Sequence, residues 1–267
     1  MRRGEHPTYR LMYWCNCVAC AKPEFAVGND VRQPHAVLDL RSRDWKAEKI
    51  ARLLDLAHSP QPIRMLEIGT GSGGIAHWFA TNASIRCEVS AVDVCDNRIQ
   101  QDGYDFRKVN GVELPFDDGS FDVVISNHVI EHVGDGAAQA RHLTEIRRVM
   151  KPDGVGYLAV PNRWMLTEPH YQLKFLSWWP RSWRTPYLKL MRKGGFYDCE
   201  PLQMRQLERM LEIAGFQYRN LCVEAMRETF EIEQPHSTSA RILRVLPDAL
   251  LRPLRRIIPT LIYRIIR

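Results

Sequence analysis

A chain of 267 residues with 45% hydrophobic content carries enough apolar material for one core with an elaboration. Its seven cysteines lack disulfide spacing, which favours a reducing cytoplasm, and no run of ~18 apolar residues offers a spanning helix. The formal net charge of +6 is local: residues 236–267 hold seven Arg against the single acid Asp248, while the rest of the chain is balanced, a pattern that favours a local anionic contact over nucleic acid.

Residues 1–43 read as an N-terminal arm, interrupted by Pro7, Pro23 and Pro34. Cys15, Cys17 and Cys20 stand close together but lack the paired spacing and fourth ligand of a zinc site, so they read as incidental thiols. Arg2-Arg3 is followed by no apolar stretch of useful length, so no export signal is expected. A domain is expected over 44–267. It opens on an amphipathic helix from Asp44 to Ala57, whose apolar side (Trp45, Ile50, Leu53, Leu54, Leu56) packs beside the first strand.

That strand is Met65-Leu-Glu-Ile68. It runs into glycines at 69, 71, 73 and 74, and Ile75, Trp78 and Phe79 then follow at helical spacing. Such a loop turns tightly, lets a ligand approach the backbone, and aims the free N–H groups of a helix start at it. An adenosine-containing cofactor fits. Glu67, Gly69 and Gly71 would shape the loop. Asp93, ending a second strand (Glu88–Val92), would chelate two ribose hydroxyls, with Val94 against the adenine. An acid there suits NAD and S-adenosylmethionine equally.

The downstream segments carry a specific order. Asn110-Gly-Val-Glu-Leu-Pro-Phe116 precedes Gly119-Ser-Phe-Asp-Val-Val-Ile-Ser-Asn-His-Val-Ile-Glu-His-Val133. A helix over Leu143–Met150 follows, then a turn at Lys151-Pro-Asp-Gly154 and the strand Gly156–Val160. Over residues 62–162 this resembles a class I S-adenosylmethionine-dependent methyltransferase of the type 11 group. The resemblance implies an α/β fold: a Rossmann-like, doubly wound seven-stranded sheet with an antiparallel last strand. It implies S-adenosylmethionine as cofactor. Asn110, with Gly111, stands where the family usually has an Asp on the adenine amino group, and Asn127 would face the methionine end. Tyr104 and Lys108 have the spacing of some NAD-dependent reductases, but they precede the core motifs.

His128, Glu131 and His132 stand at i, i+3, i+4 after the fourth strand. Methyl transfer to a hydroxyl needs alignment and a base, and an imidazole suits neutral pH. His132 is the expected base, with His128 and His170 beside it as catalytic candidates. Quinone O-methyltransferases resemble this region with a carboxylate where His128 stands; a hard cation prefers carboxylates, so no metal is expected.

Two segments exceed the minimal fold. Residues 163–200 form a cap insertion dense in aromatics, with nine between Trp164 and Tyr197. Such rings can cover a sugar or an apolar chain. Residues 201–214 read as a helix stopped by Gly215, Phe216–Ala225 as a strand, and Thr260–Ile266 as the final strand. Between them, residues 236–258 form a basic amphipathic insertion divided by Pro247 and Pro253, suited to an anionic membrane surface. The expected acceptor is a lipid-linked glycan or similar amphiphile, O-methylated at the inner membrane face by a cytoplasmic, peripheral enzyme. An isoprenoid quinone precursor, a small metabolite, or a non-catalytic binding module of the same fold are the alternatives.

Overall fold

The computed structural model describes residues 39–60, 62–169 and 171–267. Most of the N-terminal arm, with Cys15, Cys17 and Cys20, and also His170, lies outside the described residues. Helix α1 (Leu40–Leu54) begins ahead of Asp44 and ends where Asp55 turns left-handed. Strand β1 (Ile63–Ile68), helix α2 (Gly74–Thr81), strands β2 (Cys87–Asp93), β3 (Asp105–Lys108) and β4 (Phe121–Asn127), helix α3 (Gly136–Val149) and strand β5 (Met150–Pro161) follow in turn. The cap carries the short strands β6 (Thr167–Glu168) and β7 (Leu173–Lys174) and helix α4 (Arg181–Leu190). Helix α5 (Met204–Ile213), strand β8 (Gln217–Asn220), helices α6 (Cys222–Glu233), α7 (Thr238–Val245) and α8 (Asp248–Leu251), and strand β9 (Thr260–Ile266) complete the chain.

The seven-stranded sheet runs β3-β2-β1-β4-β5-β9-β8. Strands β1 to β5 pair in parallel, and β9 is antiparallel to β5 and β8 on either side of it. The central strands alternate apolar residues toward two cores, as a sheet covered on both faces requires. On one face Leu66, Val124 and Leu158 meet Leu143 and Ile146 of α3 and Leu207 of α5. On the other, Met65, Ile125 and Tyr157 meet Ile50 of α1, Phe79 of α2 and Ala225 of α6. The doubly wound sheet with an antiparallel last strand is therefore as expected.

Four elements differ from the sequence reading. Helix α3 starts well before Leu143, because the Asp135 carboxylate accepts the Ala138 N–H (2.9 Å) and caps it. Lys151–Gly154 is an irregularity inside β5, where the register with β4 shifts between Phe121 and Val123, and not a turn ahead of it. The strand expected over Phe216–Ala225 stops at Asn220. There the Asn220 side chain accepts the Cys222 N–H (3.1 Å), and the apolar Cys222, Val223 and Ala225 are buried from a helix. The segment between the last two strands thus includes α6 ahead of the basic pieces. Finally, among the described residues no helix joins β2 to β3. That crossing is pinned instead: the Ile99 and Gln100 N–H groups donate to the Ser72 carbonyl (2.9 and 3.0 Å), and Arg98 pairs with Asp96 (2.8 Å) while lying 3.8 Å over the Phe106 ring.

Among the described residues no helix is long and apolar enough to cross a membrane. The basic segment is broken as its prolines dictate, into α7, α8 and a 3-10 turn over Arg252–Arg256. Its root is joined to that of the cap by one buried side chain. The Asn162 amide donates to the carbonyls of Arg256 (3.0 Å) and Ile258 (2.9 Å), and its oxygen accepts the Trp164 N–H (3.0 Å). Asn162→Ala removes all three bonds and leaves those backbone groups short of partners. The expected cost is about 2–4 kcal/mol, read as a lower urea midpoint with an unchanged slope.

Candidate functional site

The parallel strands end on one edge of the sheet, and the glycine loop lies there. Gly69, Gly71 and Gly73 have φ of 76, 54 and 80 degrees, a left-handed path that other residues resist. Two of them are also required by protein neighbours: a Cβ on Gly69 would strike the Val129 side chain, and one on Gly73 the Gln100 carbonyl. Beneath the loop, Glu67 is buried. Its carboxylate accepts from the Thr70 hydroxyl (2.6 Å) and from the Ala76 N–H (3.1 Å), joining β1, the loop and the start of α2. Burial pushes this carboxyl up to about 8, against the opposing pull of Thr70, Arg43 and Ala76. Glu67 therefore shapes the loop from below, as the sequence suggests.

Asp93 closes the other side. Its carboxylate accepts the Gly71 N–H (2.9 Å) and the Cys95 N–H (3.3 Å), and burial raises it above the ordinary Asp range despite these bonds. Each oxygen keeps acceptor capacity for a further donor. Val94 beside it is 53% exposed, an apolar shelf next to the acid. The Val109 N–H donates to the Asp93 carbonyl (3.0 Å), which brings the exposed Asn110 and Gly111 alongside.

Among the buried polar atoms at this edge without a hydrogen-bond partner are Asn127 Oδ1, Ser72 Oγ and Arg43 Nε, with both Glu131 carboxylate oxygens in the turn after β4. Buried polar groups are normally paired, so such atoms point to a missing polar ligand. Arg43 was not singled out from the sequence. Its side chain crosses α2 so closely that a Cβ on Gly74 would lie 2.7 Å from the Arg43 Cβ. A guanidinium, an amide and a hydroxyl are groups that complement an amino-acid end, and an acid beside an apolar shelf complements a nucleoside. The residues present fit S-adenosylmethionine.

The turn after β4 holds the second half of the site. His128 is left-handed (φ 59), a costly conformation for a non-glycine residue and one that gathers at functional sites. Its Nδ1 lies 3.2 Å from Glu131 Oε1 and its Nε2 3.4 Å from the Thr260 hydroxyl. His132 Nε2 stands 3.9 Å from the same Glu131 oxygen, and His132 Nδ1 stands 3.9 Å from Cys199 Sγ. The Glu131 side chain is sealed from solvent. Burial alone would raise its carboxyl; the imidazoles of His128 and His132 outweigh that and hold it below the usual Glu range. The Glu131 carboxylate thus faces two imidazoles, and the i, i+3, i+4 residues do share one face, though the turn over Ile130–His132 is 3-10 and not α-helical.

The sequence reading missed Asp198 and Cys199. They belong to the chain returning from the cap, where the Glu200 N–H donates to the Glu131 carbonyl (3.0 Å) and fixes that return against the histidine turn. Nothing in their local sequence marks them. Burial, with Asp198 and Glu168 nearby, pushes the Cys199 thiol well up. The cap itself packs on a small core of Leu173, Leu176, Leu188, Tyr197 and Cys199. Its other rings face outward: Trp179 stacks on Trp183 (centroids 5.9 Å apart), and Phe175, Trp178, Leu190 and Met191 are exposed beside them.

Residues 66–158 match the family model described as a methyltransferase domain. A Mycolicibacterium smegmatis protein, named a probable S-adenosylmethionine-dependent methyltransferase, is 37% identical over 110 residues, which cover 40% of this chain and 42% of that one. The phthiotriol/phenolphthiotriol dimycocerosates methyltransferase of Mycobacterium leprae is 32% identical over 100 residues, covering 34% of this chain and 35% of that one. The chain thus spans less than half the length of these relatives. A chain from the Haloferax volcanii complex between the Trm112 methyltransferase activator and a methyltransferase shares the fold, with a TM-score of 0.50 at 18% identity over 85% of this chain and 91% of that one.

Gly71→Asp tests the loop. It forces a side chain into a left-handed position and sets a second carboxylate against Asp93, where the ligand must approach. Loss of S-adenosylmethionine binding by calorimetry is expected, with the fold retained by circular dichroism.

Proposed function

We propose that this chain, a class I S-adenosylmethionine-dependent methyltransferase by its fold and by the domain in residues 66–158, O-methylates an amphiphilic acceptor, such as a lipid-linked glycan, at an anionic membrane surface. When bound, S-adenosylmethionine supplies an electrophilic methyl group on a sulfonium, whose carbon–sulfur bonding pair leaves with S-adenosylhomocysteine as the acceptor oxygen bonds to carbon. The glycine loop, Arg43, Asp93 and Asn127 bind and orient it. The acceptor hydroxyl loses its proton to the imidazole pair, His132 first and His128 beside it; His170 is the third candidate. Glu131 holds both rings and stabilises the imidazolium that forms.

The observation that carries the membrane half is the surface around the strand ends. Between Tyr171 and Tyr197 stand six bases and no acid; Arg184 is buried and Arg181 pairs with Glu200 (2.9 Å), which leaves Lys174, Lys189, Arg192 and Lys193 as the remaining exposed cations. Their neighbours are the outward tryptophans and Leu190, which is 77% exposed. In the C-terminal segment Ile242, Val245, Leu250, Leu254 and Ile257 are exposed among Arg241, Arg252 and Arg256, while Arg244 is engaged by Glu231 (2.6 Å). Asn162 joins the roots of the two surfaces beside the histidine turn, since Thr260 begins β9 there and meets His128. Aromatic rings with Lys and Arg are the chemistry of a bilayer interface, where each base contributes about 1 kcal/mol near anionic lipid. The naming of a relative for phthiotriol dimycocerosates supports an acceptor of this kind.

Two measurements test the reading. His132→Ala should keep S-adenosylmethionine affinity within a few-fold and cut label transfer into source-membrane lipid by about 10²–10⁴; unchanged transfer would remove His132 from the chemistry. The intact protein should pellet with anionic vesicles at low salt and release at high salt. Replacing residues 240–257 by a short linker should weaken pelleting and leave cofactor binding intact. Indifference to anionic vesicles would sink the membrane half.

A further inference from the structure

His132, Asp198 and Cys199 bring a ring nitrogen, a carboxylate oxygen and a sulfur within 4.8 Å of one another. The Nδ1–Sγ separation is 3.9 Å and the Sγ–Oδ1 separation is 3.6 Å. With bonds of ~2.0–2.3 Å to nitrogen, oxygen and sulfur, donors around a tetrahedral zinc ion stand roughly 3.3–3.7 Å apart. One edge already has that length and a second is a few tenths longer. The three groups come from opposite banks: His132 from the turn after β4, Asp198 and Cys199 from the chain leaving the cap.

The surroundings match what metal ligands require. A ligating imidazole gives its other ring N–H to a carboxylate, and the buried Glu131 Oε1 lies 3.9 Å from His132 Nε2, near that position but longer than a hydrogen bond. A ligating carboxylate receives an outer hydrogen bond, and the Tyr171 hydroxyl lies 3.4 Å from Asp198 Oδ1. Three carboxylates act on the Cys199 sulfur, those of Asp198, Glu168 and Glu131, and Glu168 and Glu131 are buried.

We propose that His132 Nδ1, Asp198 and the Cys199 thiolate bind a divalent transition-metal ion of the zinc type. The mixed nitrogen, oxygen and sulfur set selects zinc over magnesium or calcium. This deepens the methyltransferase reading and rests on it. With the ion bound His132 would serve as a ligand, so the acceptor proton that otherwise goes first to His132 would pass to His128 instead, and the ion would supply Lewis-acid polarisation nearby. The ion also fastens the cap to the histidine turn.

Cobalt(II) titrated into the EDTA-treated full chain is the probe, read by its near-ultraviolet thiolate charge-transfer band. One equivalent per chain is expected. Cys199→Ser should abolish the band, and His132→Ala and Asp198→Ala should weaken cobalt binding about ten-fold or more. A variant with Cys15, Cys17 and Cys20 all changed to Ser should retain the band. Zinc should also shield Cys199 of the unmutated chain from alkylation, read by peptide mass spectrometry, so the test survives if a variant misfolds. No band and no shielding, a band that persists in Cys199→Ser, or a band lost with the three N-terminal cysteines alone would overturn the site. Calorimetry with S-adenosylmethionine on the same samples keeps the two ideas apart. Cofactor binding with no metal signal sinks the metal site alone, and a metal signal without cofactor binding supports the site while sinking the methyltransferase reading.

Discussion

A missing side chain at residue 69 sets the spacing of the whole site. Gly69 leaves β1 against Val129, which follows β4, and any Cβ there would push the two strand ends apart. The close approach places the glycine loop and the histidine turn on adjacent strands of one rigid sheet, where β1 and β4 pair from Met65–Val123 to Ile68–Ser126. Alignment is most of what methyl transfer asks of a protein, so for the proposed reaction a fixed distance between the glycine loop and the histidine turn matters more than any single hydrogen bond. Glu67 and Asp93 then hold the loop from inside and outside, each through backbone N–H groups.

What the sequence made legible follows from locality. The glycine loop, the short apolar run of β4 and the β-branched run of β9 are each written within a few residues, and Thr260–Ile266 matches the expected strand to the residue. The pairing of His128 with Glu131 was also local, at helical spacing. Phe216–Ala225 misled because apolar and β-branched residues serve a buried strand and a buried helix face alike; the Asn220 side chain decides between them. Asp198 and Cys199 were invisible for a different reason. They meet His132 only because the cap leaves the sheet and returns, and no spacing rule spans such an excursion. Arg43 belongs to the same class, since its importance lies in a contact between two helices.

The charge pattern illustrates how composition averages can hide a surface. Whole-chain arithmetic assigns the excess to the C-terminal segment and declares the rest neutral. The stretch from Tyr171 to Tyr197 within the cap is nevertheless a run of bases without an acid, compensated by acids that include Glu168, Asp198 and Glu200 on either side of it. Some of that charge is internal: Arg184 is buried, donates to the Trp179 carbonyl (3.0 Å) and lies 3.7 Å from Glu200. The remainder lies among outward rings, so the fold gathers on one edge two surfaces far apart in sequence.

The position of β9 has a consequence for how the molecule is made. Last of the strands in chain order, it lies between β5 and β8 and bonds to both. A nascent chain that has built β1 to β5 therefore carries a bare edge at β5, while β8 waits without a neighbour. Both gaps close in a single late event, after the arginine-rich segment has already been synthesised. Such an open edge invites pairing with other chains, and long-range strand insertion is slow. The window between synthesis of β5 and arrival of β9 is thus when this protein is most prone to aggregate, and when a chaperone would gain most by covering it.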